Sequence, residues 1–478
     1  GDQYAETEGL INWGEGVELQ GPLDFPRQMY TTALVIAEEI NNLRLTARCL
    51  KCLGRVAWRE GDIAAAESYY ERSMEIEQRR GDQIAEGQIL VRLGLNAEYE
   101  GHIDRALAFF QKAEEIYRRV SHSYRLAGVF LNLGHVHFIM DNYENAKELN
   151  QRALEIFQDT NDRHNEAAVR QALGIVQLYE TDLAAARQSF SVGLSLSQDI
   201  LDRRNSSRAY YGLGLVDHYE GNYISAEENF NHALTISIEI DDLMTTGLVN
   251  RALGLNCWMV GQYQAAEEYL TRALKGQSSM MDQAHSLADM VLVLGSQKKF
   301  AEALDTAEKG LALAGELGQR LVRGILYCRT GNIYLSLLEN DKAKEYFLKG
   351  LAIFKDVNAK HFSAEANAGL AYLHLVEGEH GLALEWVNGL LKDFPGGRVP
   401  GIHSPLWLMG LAYQILKLHI DPRQETVWET LRIGVSDLAG QTGGETARKN
   451  IAARLSAYNM AGILEVPWEN LILERIRV

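Results

Sequence analysis

Glycine recurs in this chain every 40 residues, and this repetition limits the possible folds more than any other feature of the sequence. An alanine lies twelve residues after nearly every one of these glycines, and alanines continue the pattern after one interval shortened to 37 residues. The glycines are Gly14, Gly54, Gly94, Gly134, Gly174, Gly214 and Gly254, and the alanines are Ala66, Ala106, Ala146, Ala186, Ala226, Ala266, Ala303, Ala343 and Ala383. A long period marked by small residues is typical of stacked helical hairpins, which form binding surfaces more often than catalytic sites.

Proline placement and charge narrow the class of protein further. None of the seven prolines lies between residues 27 and 394, and proline is the residue that breaks helix interiors. The net charge of −17 argues against nucleic acid as a direct partner. Four cysteines are too few for a disulfide scaffold. Because we find neither a membrane-spanning apolar run nor a signal-peptide pattern, we expect a cytoplasmic chain without membrane contact.

Residues 207–246 show how one repeat is built. The first helix carries Gly214, and the second carries Ala226 and Phe230 on one face, so the small residues lie where the two helices approach each other. Aspartates recur between repeats, where their side chains can accept the free amide hydrogens of the next helix. These aspartates are Asp82, Asp162, Asp202 and Asp242.

At these positions the chain resembles the tetratricopeptide-repeat (TPR) family. The family pattern L-G-x2-Y…A-x3-F is met best by Gly331, Tyr334, Ala343 and Phe347, and the resemblance covers roughly residues 7–403. The 40-residue period is similar to that of the long-period TPR arrays in bacterial STAND-type signalling ATPases, kinesin light chains and spindle-orientation adaptors. The resemblance implies an all-α fold, a right-handed superhelix (α-solenoid) of about ten helical hairpins.

The repeat divides the chain into three expected regions. Residues 1–46 form a degenerate first repeat or N-terminal cap, because Pro26 interrupts its pattern. Residues 47–403 form an array of about nine repeats, with a short repeat at 247–283. Residues 404–478 leave the pattern and are expected to form a C-terminal helical cap and tail. The helices predicted there span residues 406–418, 423–438 and 445–464.

The repeating glycine also predicts which side chains of each first helix point into a concave groove. These are the side chains six and three residues before the glycine and one, four and five residues after it. The tyrosines at such positions recur with a spacing that packing between repeats would also require. The tryptophans and Phe138, in contrast, are expected to form an exposed binding wall. The candidate ligand-binding residues are Arg48, Lys51, Arg55, Trp58, Arg59, Arg92, Tyr99, His135, Phe138, Tyr179, Tyr211, His218 and Trp258.

Four of these candidates form a basic stripe on the first helix of the second repeat, with spacings of 3, 4 and 4 residues; they are Arg48, Lys51, Arg55 and Arg59. Two interpretations remain open for the stripe. It is either a solvated helix face that pairs with neighbouring carboxylates, or a clamp for a carboxylate or phosphate, which arginine binds in a bidentate manner.

No nucleotide-binding loop or hydrolase motif is found in the sequence, so we expect no enzyme and no cofactor. Cys49 and Cys52 are spaced as metal ligands often are, but without a second pair or a nearby histidine we predict no metal site. Two functional classes fit the resemblance. The chain is either the sensor part of a STAND-type regulator, whose ATPase domain would precede a chain that begins inside a degenerate repeat, or a free-standing adaptor that binds peptide segments. The expected ligand is a protein, peptide or small-molecule inducer in the concave groove.

Overall fold

The computed structural model describes residues 2–18, 23–276, 280–357, 359, 362–393, 405–441 and 449. Within these ranges the chain forms 22 α-helices and no β-strand. The helices are α1 (Gln3–Glu18), α2 (Asp24–Glu39), α3 (Leu43–Arg59), α4 (Ile63–Arg80), α5 (Gln83–Tyr99), α6 (Ile103–Arg119), α7 (Ser123–Ile139), α8 (Tyr143–Asp159), α9 (Arg163–Tyr179), α10 (Leu183–Asp199), α11 (Arg203–Glu220), α12 (Tyr223–Glu239), α13 (Leu243–Met259), α14 (Tyr263–Lys275), α15 (Met280–Ser296), α16 (Phe300–Glu316), α17 (Arg320–Ser336), α18 (Asn340–Asp356), α19 (Ser363–Val376), α20 (His380–Asp393), α21 (Pro405–Leu418) and α22 (Arg423–Gln441).

Most hairpins are held together by a glycine on the first helix and a large side chain on the second. In the α11–α12 hairpin, a Cβ added to Gly214 would lie 2.6 Å from the ring of Phe230, which is fully buried. Gly94 and Phe110 form the same contact between α5 and α6, with 2.5 Å from a Cβ at Gly94 to the ring. The glycines that define the 40-residue period therefore lie where two helices are too close together for any residue with a Cβ atom.

The turns between helices follow the same repeating chemistry. The side chain of Asp202 accepts a hydrogen bond from the amide of Asn205 at 3.0 Å, and Asp82 caps α5 in the same way. Gly221 ends α11 with a φ of +83°, a backbone conformation that favours glycine. The predicted aspartate N-caps are thus confirmed. An all-α solenoid of ten hairpins followed by the α21–α22 pair is the observed fold.

The contacts divide the chain into two compact units. Unit 1 comprises residues 1–140 and 144–161, and unit 2 comprises residues 141–143 and 162–478. The boundary expected at residue 46 stays a prediction, and the one expected at residue 403 lies outside the described residues. Unit 1 includes the degenerate first repeat, where Pro26 is accommodated because it lies in the first turn of α2.

Unit 2 contains the short repeat and the two helices that follow the array. Helix α14 ends at Lys275 after 13 residues, whereas α12 has 17, so the short repeat lost length from its second helix. Helices α21 and α22 agree with the first two helices predicted after the array, and the third, except for residue 449, lies outside the described residues. At the end of α22, the side-chain amide of Gln441 donates to the carbonyl of Gly221 at 2.6 Å.

None of the helices in the described ranges is long and apolar enough to cross a membrane.

Candidate functional site

The basic stripe of unit 1 lies on α3, and most of its cations have partners from neighbouring helices. Arg48 donates to Glu15 of α1 at 2.7 Å, and Arg55 lies 4.0 Å from the same carboxylate. Lys51 donates to the side-chain oxygen of Gln88 at 2.9 Å, and burial lowers the pKa of Lys51. Arg59 and Arg92 are exposed. The carboxylate next to two of these cations, Arg48 and Arg55, comes from Glu15, which the sequence did not single out.

An aromatic pair lies further along the inner helices of unit 1. Trp58 is 39% exposed and Tyr99 is 37% exposed, and their rings meet edge to face with centroids 6.2 Å apart. His135 is exposed and its Nδ1 lies 2.8 Å from a carboxylate oxygen of Glu98, while Phe138 is half-buried. This surface of unit 1 therefore offers two partly exposed aromatic rings beside ionisable groups.

In unit 2 the expectation of an exposed tryptophan is wrong. Trp258 has no exposed surface, and its indole Nε1 donates to the hydroxyl of Ser296 at 2.8 Å. Because α15 covers it, Trp258 packs the core between α13 and α15 instead of forming a wall of the groove. Tyr211 is also nearly buried, at 9% exposure.

A pocket opens among the inner helices of unit 2. Its empty volume, including the open mouth, is about 670 Å³. The walls come from α9, α11, α13, α15 and α17, with Phe230 of α12 behind them and Phe362, just before α19, at one side. Two of the candidate residues, Tyr179 and His218, line this pocket, together with their neighbour Tyr219. Tyr179 and Phe362 lie with ring centroids 6.5 Å apart, so the aromatic wall joins residues distant in sequence.

Two guanidinium groups share one carboxylate in the wall of the pocket. Arg329 donates to one oxygen of Asp289 at 2.7 Å, and Arg251 donates to the other at 3.3 Å. Asp289 is 5% exposed and Arg329 is 2% exposed, whereas the Arg251 side chain is 20% exposed. Burial opposes the charge of Arg251, but Asp289 raises the pKa of that guanidinium overall. Arg251 is therefore protonated beside a carboxylate that is almost completely buried.

Both histidines of the pocket are neutral at physiological pH. Burial, with the charges of Arg251 and Arg329, lowers the pKa of His285 to about 3. Burial also lowers the pKa of His218, although a 3.0 Å hydrogen bond to Asn256 acts in the opposite direction. Neutral imidazoles can both donate and accept hydrogen bonds, so these side chains add polarity to the pocket without adding charge.

Neither of the possible metal-ligand groups among the described residues points to a bound ion. Cys49 and Cys52 are both buried, and burial raises the pKa of Cys49 to about 12, which disfavours the thiolate that binds metals. His374, Glu377 and Glu379 bring ligand atoms within 4.8 Å of one another. In that group Nδ1 of His374 lies 2.6 Å from Glu379, so the two side chains form a hydrogen bond with each other.

Family models agree with the repeats seen in the structure. A tetratricopeptide-repeat model matches residues 45–119, 125–199 and 205–279, and a second tetratricopeptide-repeat model matches residues 325–356. Together these matches cover more than half of the chain. The chain is a tetratricopeptide-repeat protein. The hairpin arrays of TPR proteins form extended binding surfaces, and the pocket of unit 2 lies among their inner helices.

Solved structures extend the comparison to the fold of this TPR protein. A Rap protein complexed with Competence and Sporulation Factor is similar, with a TM-score of 0.58 and 14% identity, and the match covers 74% of this chain and 99% of that chain. BtubC (BKLC) from P. vanneervenii gives 0.38 and 19%, over 50% and 93% of the two chains. The apo form of RapI gives 0.34 and 15%, over 65% and 98%. A search of curated protein sequences found no match.

Sequence reasoning missed the charged part of the pocket. Arg251 lies three residues before Gly254, a position that the repeat predicts to face the groove, but its charge was not recognised as part of a site. Asp289, Arg329 and His285 follow the shortened repeat, where the glycine frame is interrupted. A search for charged residues at inward positions, with the frame reset after residue 279, is the signal that would have found them.

Proposed function

We propose that this TPR protein is a binding scaffold and that the pocket of unit 2 receives its ligand. The observation that carries the proposal is the pocket itself, with buried charges, neutral histidines and aromatic walls gathered from five inner helices. Ligand sites are typically concave and mostly apolar, with a few well-placed polar groups. The fold shared with a Rap protein that was crystallised with Competence and Sporulation Factor supports ligand binding by such an array.

The discrete pocket favours a sensor over an extended adaptor surface. We propose that the chain is the sensor of a STAND-type regulator, and that binding of a peptide, protein or small-molecule inducer in the groove relieves inhibition of an ATPase domain. Reading the complete gene tests this context, because an upstream nucleotide-binding domain is required. A reading frame without such a domain would exclude the STAND assignment and leave the binding function in place.

A free-standing adaptor that binds peptide segments is the second candidate. The observation that favours it is the partly exposed Trp58–Tyr99 pair in unit 1, since exposed aromatic clusters mark interaction surfaces. Here a partner segment would contact unit 1, near the basic stripe of α3, and would not require the pocket of unit 2.

One substitution made at two positions of the same helix tests the role of the pocket. Leu255 lines the pocket, whereas Leu243 lies at the exposed start of α13, 48% exposed. A peptide selected from a displayed heptapeptide library on the wild-type protein should bind Leu255→Trp at least tenfold more weakly by calorimetry, because the indole fills the cavity. Leu243→Trp should bind as the wild type does. Circular dichroism verifies that both variants are folded.

Two results would contradict this assignment. Equal affinities of Leu255→Trp and the wild-type protein for the selected peptide would show that the pocket does not receive it. If Trp58→Ala then weakens binding of that peptide, the adaptor surface of unit 1 is the binding site.

A further inference from the structure

The wall of the unit 2 pocket is positively charged, although the protein as a whole is acidic. The chain has 47 basic and 64 acidic residues. Among the described side chains that line the pocket, however, Arg251 and Arg329 are cations and Asp289 is the one anion. His218 and His285 contribute no charge at pH 7, because burial lowers the pKa of each imidazole. Asp282, at the start of α15, acts on Arg251 electrostatically from outside the lining.

Arg251 is the more accessible of the two cations, because its side chain is 20% exposed whereas that of Arg329 is 2% exposed. Its contact with Asp289 is 3.3 Å long, whereas Arg329 holds the same carboxylate at 2.7 Å. The Arg251 Nε is buried and has no hydrogen-bond partner among the residues that the structure describes. A guanidinium has five N–H donors, and buried donors without acceptors are unfavourable. The N–H groups of Arg251 that remain after its bonds to Asp289 and Tyr211 can donate to an acceptor placed in the pocket beside it.

The remaining walls indicate what the acceptor is attached to. Leu215, Leu255, Leu321 and Ile325 face the pocket from three inner helices, and Tyr219 adds an aromatic ring. Such walls gain free energy by contact with an apolar group. The chemistry of the pocket is therefore an anion site at one place and an apolar surface around it.

We propose that the unit 2 pocket binds an organic anion, namely a carboxylate on an aromatic or branched apolar body, and that Arg251 is the residue that donates to the anion. This inference rests on the proposed function, since it names the class of ligand that the pocket takes. A charge-assisted bond from a partly buried guanidinium is stronger than a neutral hydrogen bond, so the charge of the ligand decides its affinity. Two sources carry this chemistry: a small free carboxylic acid, and an acidic residue beside an apolar residue in a peptide.

Matched pairs of probes test the charge preference directly. The first pair is 2-naphthoate and 2-naphthamide, which share a body and differ in charge. The second is acetyl-Phe-Glu-amide and acetyl-Phe-Gln-amide. We expect the wild-type protein to bind the anionic member of at least one pair ten times or more tightly by calorimetry. The pair that shows the preference identifies the source of the carboxylate.

Substitution of Arg251 assigns the preference to this residue. Arg251→Met keeps an apolar stem without charge, so it should lose the preference for the anion and keep the affinity for the neutral probe. Arg251→Lys retains a charge and should restore part of the preference, which keeps the test valid if the methionine variant is poorly folded. Arg203→Met is the control, because Arg203 is exposed and pairs with Glu239 outside the pocket.

The outcomes separate this inference from the proposed function. Equal affinities of the wild-type protein for the anionic and neutral members of both pairs would overturn the inference, and so would the absence of binding by all four probes. An anion preference that survives Arg251→Met would overturn the role of Arg251. A different result would contradict the proposed function: unchanged binding of the library-selected peptide by Leu255→Trp.

Discussion

Cations line the inner helices in both units, but their counterions and their burial differ. In unit 1, Glu15 serves Arg48 and Arg55, and each of these three side chains keeps a quarter or more of its surface exposed. In unit 2, Asp289 pairs with Arg251 and Arg329; Asp289 and Arg329 are almost completely buried, and Arg251 is 20% exposed. Solvent screens the first group more than the second, so equivalent charges have different energies in the two grooves. A row of basic residues therefore does not by itself identify a binding site.

The tryptophans provide the largest contrast between the units. Trp258→Ala removes a fully buried side chain and its hydrogen bond to Ser296, and should cost about 3–5 kcal/mol of unfolding free energy. Trp58→Ala removes a partly exposed ring and should cost about 1 kcal/mol. Guanidinium unfolding followed by circular dichroism measures both. Similar losses would mean that Trp58 is also a core residue and that unit 1 offers no aromatic binding surface.

The shared carboxylates give the next contrast. Asp289→Asn leaves Arg251 and Arg329 buried without their common counterion and should destabilise the protein by about 3 kcal/mol or more. Glu15→Gln removes a carboxylate from a partly exposed site and should cost less than about 1 kcal/mol. Both substitutions are nearly isosteric, so unfolding by denaturant compares the charges alone. A large loss for Glu15→Gln would remove the distinction drawn here between the two grooves.

Over the range from about pH 7 to about pH 5, the pH dependence of His285 gives the smallest of these effects. Its pKa in the folded protein is lowered to about 3, and an unfolded histidine titrates near 6.5. The unfolded state therefore binds the proton first, and this contribution to stability is lost as the pH falls from about 6.5 towards 3, by roughly 1.4 kcal/mol per pH unit.

His285→Gln should remove this part of the pH dependence. Denaturant unfolding of the variant and the wild-type protein at pH values of about 7 and about 5 isolates the contribution of this histidine to the slope. The same slope for both proteins would show that His285 is hydrated and protonates in the folded state.

The helices could be predicted well from the sequence because the interactions that form each hairpin lie within one repeat. Gly214 and Phe230 lie 16 residues apart and meet within one hairpin, and Asp202 caps the helix that follows it directly. These are local interactions, repeated with the same spacing, so reading the period was enough to place the hairpins, the caps and the turns. It also predicted that Tyr179 and His218 would face a groove, and both line the pocket.

The tertiary structure decided which groove residues act together. Glu15 meets Arg48 across 33 residues, Asp289 meets Arg329 across 40, and Tyr179 approaches Phe362 from a distant part of unit 2. Trp258 belongs to the core because Ser296 and its helix cover it. Such contacts depend on how successive hairpins stack and curve, and a repeat specifies each hairpin more strictly than it specifies that curvature. The 40-residue period therefore determines the fold of this protein. The charge and shape of its pocket depend on how the helices of different repeats pack together, which the period alone does not specify.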